Sequence, residues 1–474
     1  MTALPDVAIL GAGPAGLGAA WRLRHLQRAS VTVLEQHQQP GGNAASFEFG
    51  GQWVDFGSHR LHPACDPAIL ADIRRFLGDE LLDRPRHGRI RLRGRWVRFP
   101  LRPLDLFARL DPGFALGSLG DALTKPLRSA ASSDTFAGVL RASLGPTICD
   151  HFYFPYARKI WGRDPHQLSG IQARRRVAAG SVAKLIGKVL SQVPGFRRPG
   201  AGRFYYPKRG FGQISEVYAE QAQAAGARLL YGRRVTSLTP PAGPSDRWVV
   251  ESEQAGARER LEVDHVWSTL PVTLLARMMG KHAPEEVHAA SRGIAYRAMV
   301  LVYLELPVER FSEFDAHYFP GADVRITRLS EPKNYAARTE PGGRTVLCAE
   351  LPSSLEDSWW SASDETLGEL VAEDLATAGI PLPATPTAVL TRRLPQAYPI
   401  YTVGYEEPFG VLDRWVSGIP RLLSYGRQGL FAHDNTHHAL AMAYAAADCL
   451  GPNGFDLARW ADHRRVFETH VVVD

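Results

Sequence analysis

Six residues near the start of the chain, Gly11-Ala-Gly-Pro-Ala-Gly16, constrain its fold more than any other stretch. They follow a short apolar run, Val7-Ala-Ile-Leu10, with the character of a strand buried in a parallel sheet. They lead into Ala15 to Arg28, which reads as a helix able to turn Leu17, Ala20, Trp21 and Leu23 toward that sheet. A second β-branched run, Val31-Thr-Val-Leu34, ends at Glu35. Strand, glycine turn, helix and strand make a βαβ unit of the usual length. In such a unit Gly11 permits the tight turn, Gly13 lets backbone approach a pyrophosphate, and Gly16 allows close helix–sheet packing. The helix start at Pro14 and Ala15 offers unpaired N–H groups and a partial positive charge to an anion. Glu35, with Gln36 beside it, stands where a carboxylate accepts from ribose hydroxyls. These residues predict an α/β fold that binds a dinucleotide.

The rest of the chain leaves room for more than that unit. With 474 residues, 45% of them hydrophobic and 22% charged, it can form two or three domains, or one interleaved unit with an enclosed site. Its four cysteines, Cys65, Cys149, Cys348 and Cys449, are widely spaced and suit a reducing cytoplasm better than a disulfide framework. Met1 to Asp6 has no secretory character, and no run of 18 apolar residues suggests a membrane span. The net charge of +6 is unevenly spread. Arg84 to Arg102 holds eight arginines and Arg174 to Arg209 ten Lys or Arg, both without an acid, so the remainder is net acidic. Such concentration suits an anionic small-molecule partner as well as a solvated face. Basicity alone does not indicate nucleic acid. Oligomeric state is not legible.

Gly88 to Pro100 reads as a hairpin, with Ile90, Leu92 and Trp96 on one face and Arg89, Arg91 and Arg93 on the other. Residues 101–200 read as mostly helical. Within them Ser181 to Val193 is loosely amphipathic and reads as a lid helix, with contact to a membrane surface left open. Gly210-Phe-Gly212 opens a helix through Ala225, followed by strands at Arg228 to Tyr231 and Val235 to Leu238. Trp248 to Glu253 and Arg260 to Val263 form a second hairpin, and Val266 to Leu270 a return strand. Ala298 to Leu306 and Thr345 to Glu350 read as strands, and Ser363 to Ala378 as a helix. A strand ending at Phe431 then meets Asn435, a good N-cap for the helix Thr436 to Leu450. His433, His437 and His438 lie near that cap with no carboxylate pair or cysteine, so no metal site is expected.

Four islands carry a resemblance. Glu35…Gly41-Gly42-Asn43…Asp55-Phe56-Gly57-Ser58-His59-Arg60 resembles the N-terminal FAD module of the amine oxidase and protoporphyrinogen oxidase superfamily. That superfamily includes phytoene desaturase-like enzymes and UDP-galactopyranose mutases. Tyr206-Pro-Lys-Arg-Gly-Phe-Gly212 resembles its entry to the helix before a second FAD-contacting strand, here containing Val235. Ser268-Thr-Leu-Pro271 is similar to its T-x-P strand end. Gly426-Arg-Gln-Gly-Leu-Phe431…Asn435-Thr436 resembles its C-terminal FAD motif.

The resemblance implies a Rossmann-like, glutathione reductase-type FAD domain made discontinuously from residues 1–80, 205–290 and 415–474. An α+β substrate domain with a helical subdomain would occupy 81–204 and 291–414. It implies an FAD-dependent oxidoreductase that removes a hydride from an amine, alcohol or C–C unit. The alternative is a redox-neutral sugar-nucleotide mutase. Cofactor contacts are expected at the glycines of all four islands, among them Gly41, Gly42, Gly57 and Gly426, and at Asn43, Ser58, Val235, Asn435 and Thr436. His59 and Arg60 follow the FAD loop and are candidates for both cofactor contact and chemistry. Arg392-Arg-Leu-Pro-Gln-Ala-Tyr398-Pro-Ile-Tyr401 resembles a substrate segment in which an arginine and tyrosines handle a diphosphate or approach the flavin. It nominates Arg393, Tyr398 and Tyr401, and Arg427 stands beside them as a flavin or substrate contact.

Overall fold

The computed structural model describes residues 4–100, 109, 111–124, 134–176 and 202–472. Its centre is a five-stranded parallel sheet, ordered Leu422–Ser424, His265–Ser268, Asp6–Leu10, Ser30–Leu34, Arg228–Leu230. Alternate side chains of the first strand enter different cores. Val7 and Ile9 pack with Leu17, Trp21 and Leu440, whereas Ala8 and Leu10 pack with Trp248, Leu275 and Leu412. A strand covered on both faces needs apolar residues at every position, which explains the unbroken run in the sequence. Helix Pro14–His25 closes the first βαβ unit and packs against helices Gln213–Ala224 and Thr436–Cys449. The early and late ends of the chain therefore share one core.

A three-stranded antiparallel sheet, Arg234–Thr239, Trp248–Gln254 and Ala257–Val263, covers one side of the parallel sheet. A seven-stranded sheet forms the second layer system, ordered Ala388–Ile400, Ala295–Leu306, Thr345–Ser353, Arg328–Ser330, Ala316–Tyr318, Gly88–Leu92, Arg95–Phe99. Helix Asp364–Thr377 packs on it through Leu367, Val371 and Leu375. Helices Phe136–Leu144, Phe154–Trp161 and Gly170–Arg176 share a separate core around Phe136, Leu140, Phe154 and Trp161. Among the described residues no helix is long and apolar enough to cross a membrane.

Two sequence expectations need correction. Phe431 does not end a strand: the fifth parallel strand is Leu422–Ser424, upstream of Gly426, and Phe431 lies in a loop at φ 48°. The hairpin forms, but its register pairs Arg91 with Trp96 and Ile90 with Val97. Directly opposed residues share a face, so Trp96 lies on the arginine face. There the Arg89 guanidinium sits 4.1 Å from the indole centroid. Ala388–Ile400, for which the sequence suggests no element, is a 13-residue strand that propensity alone conceals. Its Pro395 and Pro399 argue against a central strand, and the structure places it at the sheet edge, where a missing N–H leaves the ladder intact. The lid helix expected at Ser181 to Val193 lies outside the described residues, as does much of the second basic stretch.

Leu10 is fully buried between the parallel sheet and its antiparallel cover. Leu10→Ala is expected to cost about 2–5 kcal/mol, as large-to-small changes in packed cores do. Denaturant titration of the variant checks this, and a loss below 1 kcal/mol would contradict a core at that position.

Candidate functional site

The glycine turn is held by close approaches. Gly11 takes φ +100° and donates its N–H to the Leu34 carbonyl at 2.8 Å. A Cβ on Gly16 would sit 2.0 Å from the Gly11 carbonyl oxygen, so only glycine lets the helix start this close to the strand. Gly13 differs: the nearest atom to a Cβ there is 4.0 Å away, and the residue faces a cavity. Its freedom from packing is what a backbone approached by a ligand requires. Pro14 occupies the first helical turn, which has no use for its missing N–H.

Glu35 is buried and accepts from two backbone N–H groups, Ala12 at 2.8 Å and His37 at 2.9 Å. These bonds fix its carboxylate at the end of the second strand while it still lines the cavity. Gly41 (φ +117°) donates to the Ala12 carbonyl, and a Cβ there would lie 2.7 Å from Ala45 Cα. The double-glycine loop is thereby laid against the first glycine turn.

Asp55 ties that loop to the next island. Its Oδ1 accepts from Ser46 Oγ at 2.6 Å and from the Phe211 N–H at 2.8 Å, and its Oδ2 accepts from Tyr206 Oη at 2.7 Å. Burial pushes its carboxyl up to about 6 despite these donors. Beyond Asp55 the chain turns at Gly57 (φ +97°) and delivers Ser58, His59 and Arg60. The Ser58 N–H donates to Glu350 Oε1 at 2.8 Å, and Glu350 also takes a two-pronged pair from Arg328 at 2.9 Å on each arm. The His59 ring stacks on Phe211 at 5.4 Å. Burial, then the guanidiniums of Arg328 and Arg427, push it down to about 3, so the imidazole is neutral. Arg60 donates to Tyr318 Oη (2.9 Å), Tyr335 Oη (3.0 Å) and Asp315 (3.1 Å) between the faces of Phe204 and Tyr335.

The C-terminal island closes the site. Gly426 (φ +79°) passes so near helix Pro14–His25 that a Cβ would be 2.8 Å from Ala15 Cβ. Arg427 donates to the Ala397 carbonyl at 2.8 Å and lies over the Tyr398 ring at 5.1 Å. Asn435 caps helix Thr436–Cys449 in a reciprocal box with His438. Asn435 and Thr436 line the cavity, so the positive end of this helix faces it.

One cavity of about 1270 Å³ joins these pieces. Its wall takes in Gly11, Gly13, Pro14, Ala15, Glu35, Gln36, Gly41, Gly42, Asn43, Ser58, His59, Arg60, Val235, Arg393, Arg427, Asn435 and Thr436. Gly16, Gly57 and Gly426 stand behind the wall and shape it. Tyr401 departs from expectation: it is fully buried, accepts from Arg175 at 2.8 Å and donates to the Phe431 carbonyl at 2.7 Å. With its hydroxyl spent on the core, it does not line the cavity. Tyr398 also stays off the wall, reaching it through Arg427. Arg393 spends its guanidinium on the Trp360 and Ala362 carbonyls and Thr391, which suits anchoring its strand better than gripping a diphosphate. Sequence reasoning missed Arg328 and Glu350, which no local motif marks, and Arg392, which lines the cavity beside Arg393.

The donor set fits FAD. A glycine with open space before it, a helix start and a fixed carboxylate at the second strand match a pyrophosphate and an adenosine ribose. The comparisons agree. The family model described as flavin containing amine oxidoreductase matches residues 14–442. Phytoene dehydrogenase of Streptomyces griseus is 27% identical over 266 residues, 49% of this chain and 48% of that protein. Mitochondrial protoporphyrinogen oxidase of Nicotiana tabacum is 28% identical over 173 residues, 34% of each chain. The chain thus spans about half the length of the first curated relative and a third of the second. In fold, reduced UDP-galactopyranose mutase superposes with TM-score 0.80 at 21% identity, covering 99% of this chain and 100% of that one.

Two predictions follow from the geometry. Gly13→Ala is expected to fold with near wild-type stability yet weaken FAD binding at least about tenfold, whereas Gly16→Ala should lower stability itself. Thermal melts without cofactor, alongside FAD titration, separate the two; equal melting losses would contradict the assignment. Because the carboxyl of Asp55 is raised on folding, its contribution favours the folded state below pH 4 and is lost as pH rises toward 6. Asp55→Asn should remove that slope, so the wild-type minus variant stability should fall by roughly 3 kcal/mol across the window. Denaturation midpoints measured from pH 4 to 7 read it, and a flat difference would count against a buried carboxyl here.

Proposed function

We propose that this chain, which belongs to the flavin containing amine oxidoreductase family, is an FAD-dependent oxidoreductase acting on an anionic small molecule. The observation that carries this reading is the continuity of the cavity, which runs without a break from the Gly13 turn past Thr436 to Arg392. A substrate entering by Arg392 would meet the far end of a cofactor held at Gly13 and Glu35. FAD, when bound, supplies the hydride acceptor.

The chain's own groups bind, orient and exclude water. Arg60, Arg328, Arg392 and Arg427 line the cavity, where Glu35 and Asp434 are the only acids among the described residues. Arg60 and Arg328 are balanced by Asp315 and Glu350. Arg392 is exposed over Phe47 and forms no ion pair among the described residues, so it is the cation with most to gain from an anion. His59 is neutral at physiological pH and serves as a hydrogen-bonding group, not as a charged acid. The N-terminus of helix Thr436–Cys449 favours negative charge developing at its end of the cavity.

A second reading, redox-neutral rearrangement of a sugar nucleotide, draws on the same arginine excess, which suits a diphosphate. The two separate under anaerobic conditions. An oxidoreductase bleaches its oxidised flavin on substrate addition alone, and a mutase turns over only after the flavin has been reduced beforehand. We expect bleaching by an anionic amine, alcohol or unsaturated substrate. We further expect Arg392→Glu to raise KM at least about tenfold with kcat little changed, as loss of uniform binding does. Turnover restricted to pre-reduced enzyme would overturn the oxidoreductase reading, and an unchanged KM would overturn the role of Arg392.

A further inference from the structure

Behind the cofactor cavity, three metal-ligating side chains from two distant segments converge. Asp434 lies in the loop before helix Thr436–Cys449, His438 in that helix's first turn, and His470 beyond helix Leu457–Phe467. His438 Nδ1 is 3.2 Å and His470 Nδ1 3.5 Å from Asp434 Oδ1, and one donor atom from each residue lies within 4.8 Å of the others. The two imidazoles stack at 4.2 Å, 15° from parallel, so both rings present the same edge to the carboxylate. The Asp434 side chain is 2% exposed and those of His438 and His470 13% and 14%. Asp434 Oδ2 has no hydrogen-bond partner among the described residues.

The cluster holds few hydrogen bonds that a cation would have to displace. His438 Nδ1 receives the Asn435 N–H at 3.3 Å, a long capping contact that coordination of its single lone pair would replace. The Nδ1 of His470 is too far from Asp434 at 3.5 Å for a good hydrogen bond. Two imidazole nitrogens and one carboxylate oxygen therefore converge in a largely buried space. We propose that Asp434, His438 and His470 form a binding site for one divalent transition-metal ion of the zinc class. Tetrahedral zinc with ligand bonds of about 2.0–2.1 Å sets its donors ~3.4 Å apart, close to the 3.2 and 3.5 Å from Asp434 Oδ1 to the two imidazoles. Two imidazoles and one carboxylate, without thiolate, suit Zn²⁺, Co²⁺ or Ni²⁺ better than Ca²⁺ or Mg²⁺. Water completes the coordination. The Asp434 carboxylate offsets the positive helix end that would otherwise repel a cation. Because Asp434 also lines the cofactor cavity, the ion would pin the C-terminal segment to the cavity wall.

The test is Zn²⁺ titration of the FAD-loaded protein in competition with a chromophoric chelator. One equivalent is expected to bind. His470→Gln should weaken it at least about 100-fold, since losing a mere supporting partner of a ligand already costs up to that. His151→Gln, at an exposed histidine elsewhere, should leave it unchanged. His470→Cys, which substitutes a thiolate ligand, should retain binding within about tenfold and guards against misfolding of the glutamine variant. The proposal is overturned if wild type takes up no zinc beyond what His470→Gln does, or if the cysteine variant, folded by its flavin spectrum, binds none.

Discussion

The Asp55 carboxylate is the point on which the site turns. Its three donors, Ser46 Oγ, Tyr206 Oη and the Phe211 N–H, come from segments roughly 150 residues apart in sequence. A buried carboxylate with its lone pairs satisfied is costly to break, because each lost donor leaves desolvated charge behind. The bonds set the double-glycine loop on one side and Phe211 on the other, and His59 is then stacked against Phe211. The glycines of this region serve the same contact: a Cβ on Gly212 would lie 2.3 Å from the Ser46 nitrogen, and one on Gly210 2.6 Å from Ser46 Oγ. Cofactor loop, histidine loop and the helix Gln213–Ala224 therefore cannot move independently.

From that fixed frame the division of labour follows. The parallel sheet and its glycine turn present backbone and Glu35 to one end of the cavity. The seven-stranded sheet brings Arg328 and Arg392 to the other end of the same cavity, with Glu350 behind Arg328. The pair between Arg328 and Glu350 links the two, since Glu350 also receives the Ser58 N–H. Arg328 on the second sheet is thus one residue removed from the loop that carries His59.

How much of this was legible in the sequence depends on whether the determinants are local. Gly11 to Gly16, Glu35 and the capping role of Asn435 follow from short-range rules, because turn strain, helix starts and caps act within a few residues. The hairpin at Gly88 to Pro100 was readable as an element, but its faces were not, since a two-residue turn at Arg93 and Gly94 decides which side Trp96 takes. Arg328 and Glu350 were invisible, because it is sheet pairing that brings the two opposite each other. Tyr401 illustrates the opposite failure: a tyrosine in a motif-like segment whose hydroxyl the core had already claimed. The histidines near the C-terminal cap divide likewise, His433 bonding the Pro399 carbonyl while His470, far along the chain, joins His438.

The cavity between Gly13 and Thr436 is expected to hold FAD through both its dinucleotide half and its far end. Titration of cofactor-free protein with FAD, FMN and riboflavin tests it most directly, because only FAD carries the adenosine that Glu35 and the glycine turn would engage. One FAD per chain is expected, with binding of FMN and riboflavin weaker by at least about 100-fold, the order of two to three lost charge-assisted hydrogen bonds. A chain that takes up no flavin, or that binds riboflavin as tightly as FAD, would contradict it.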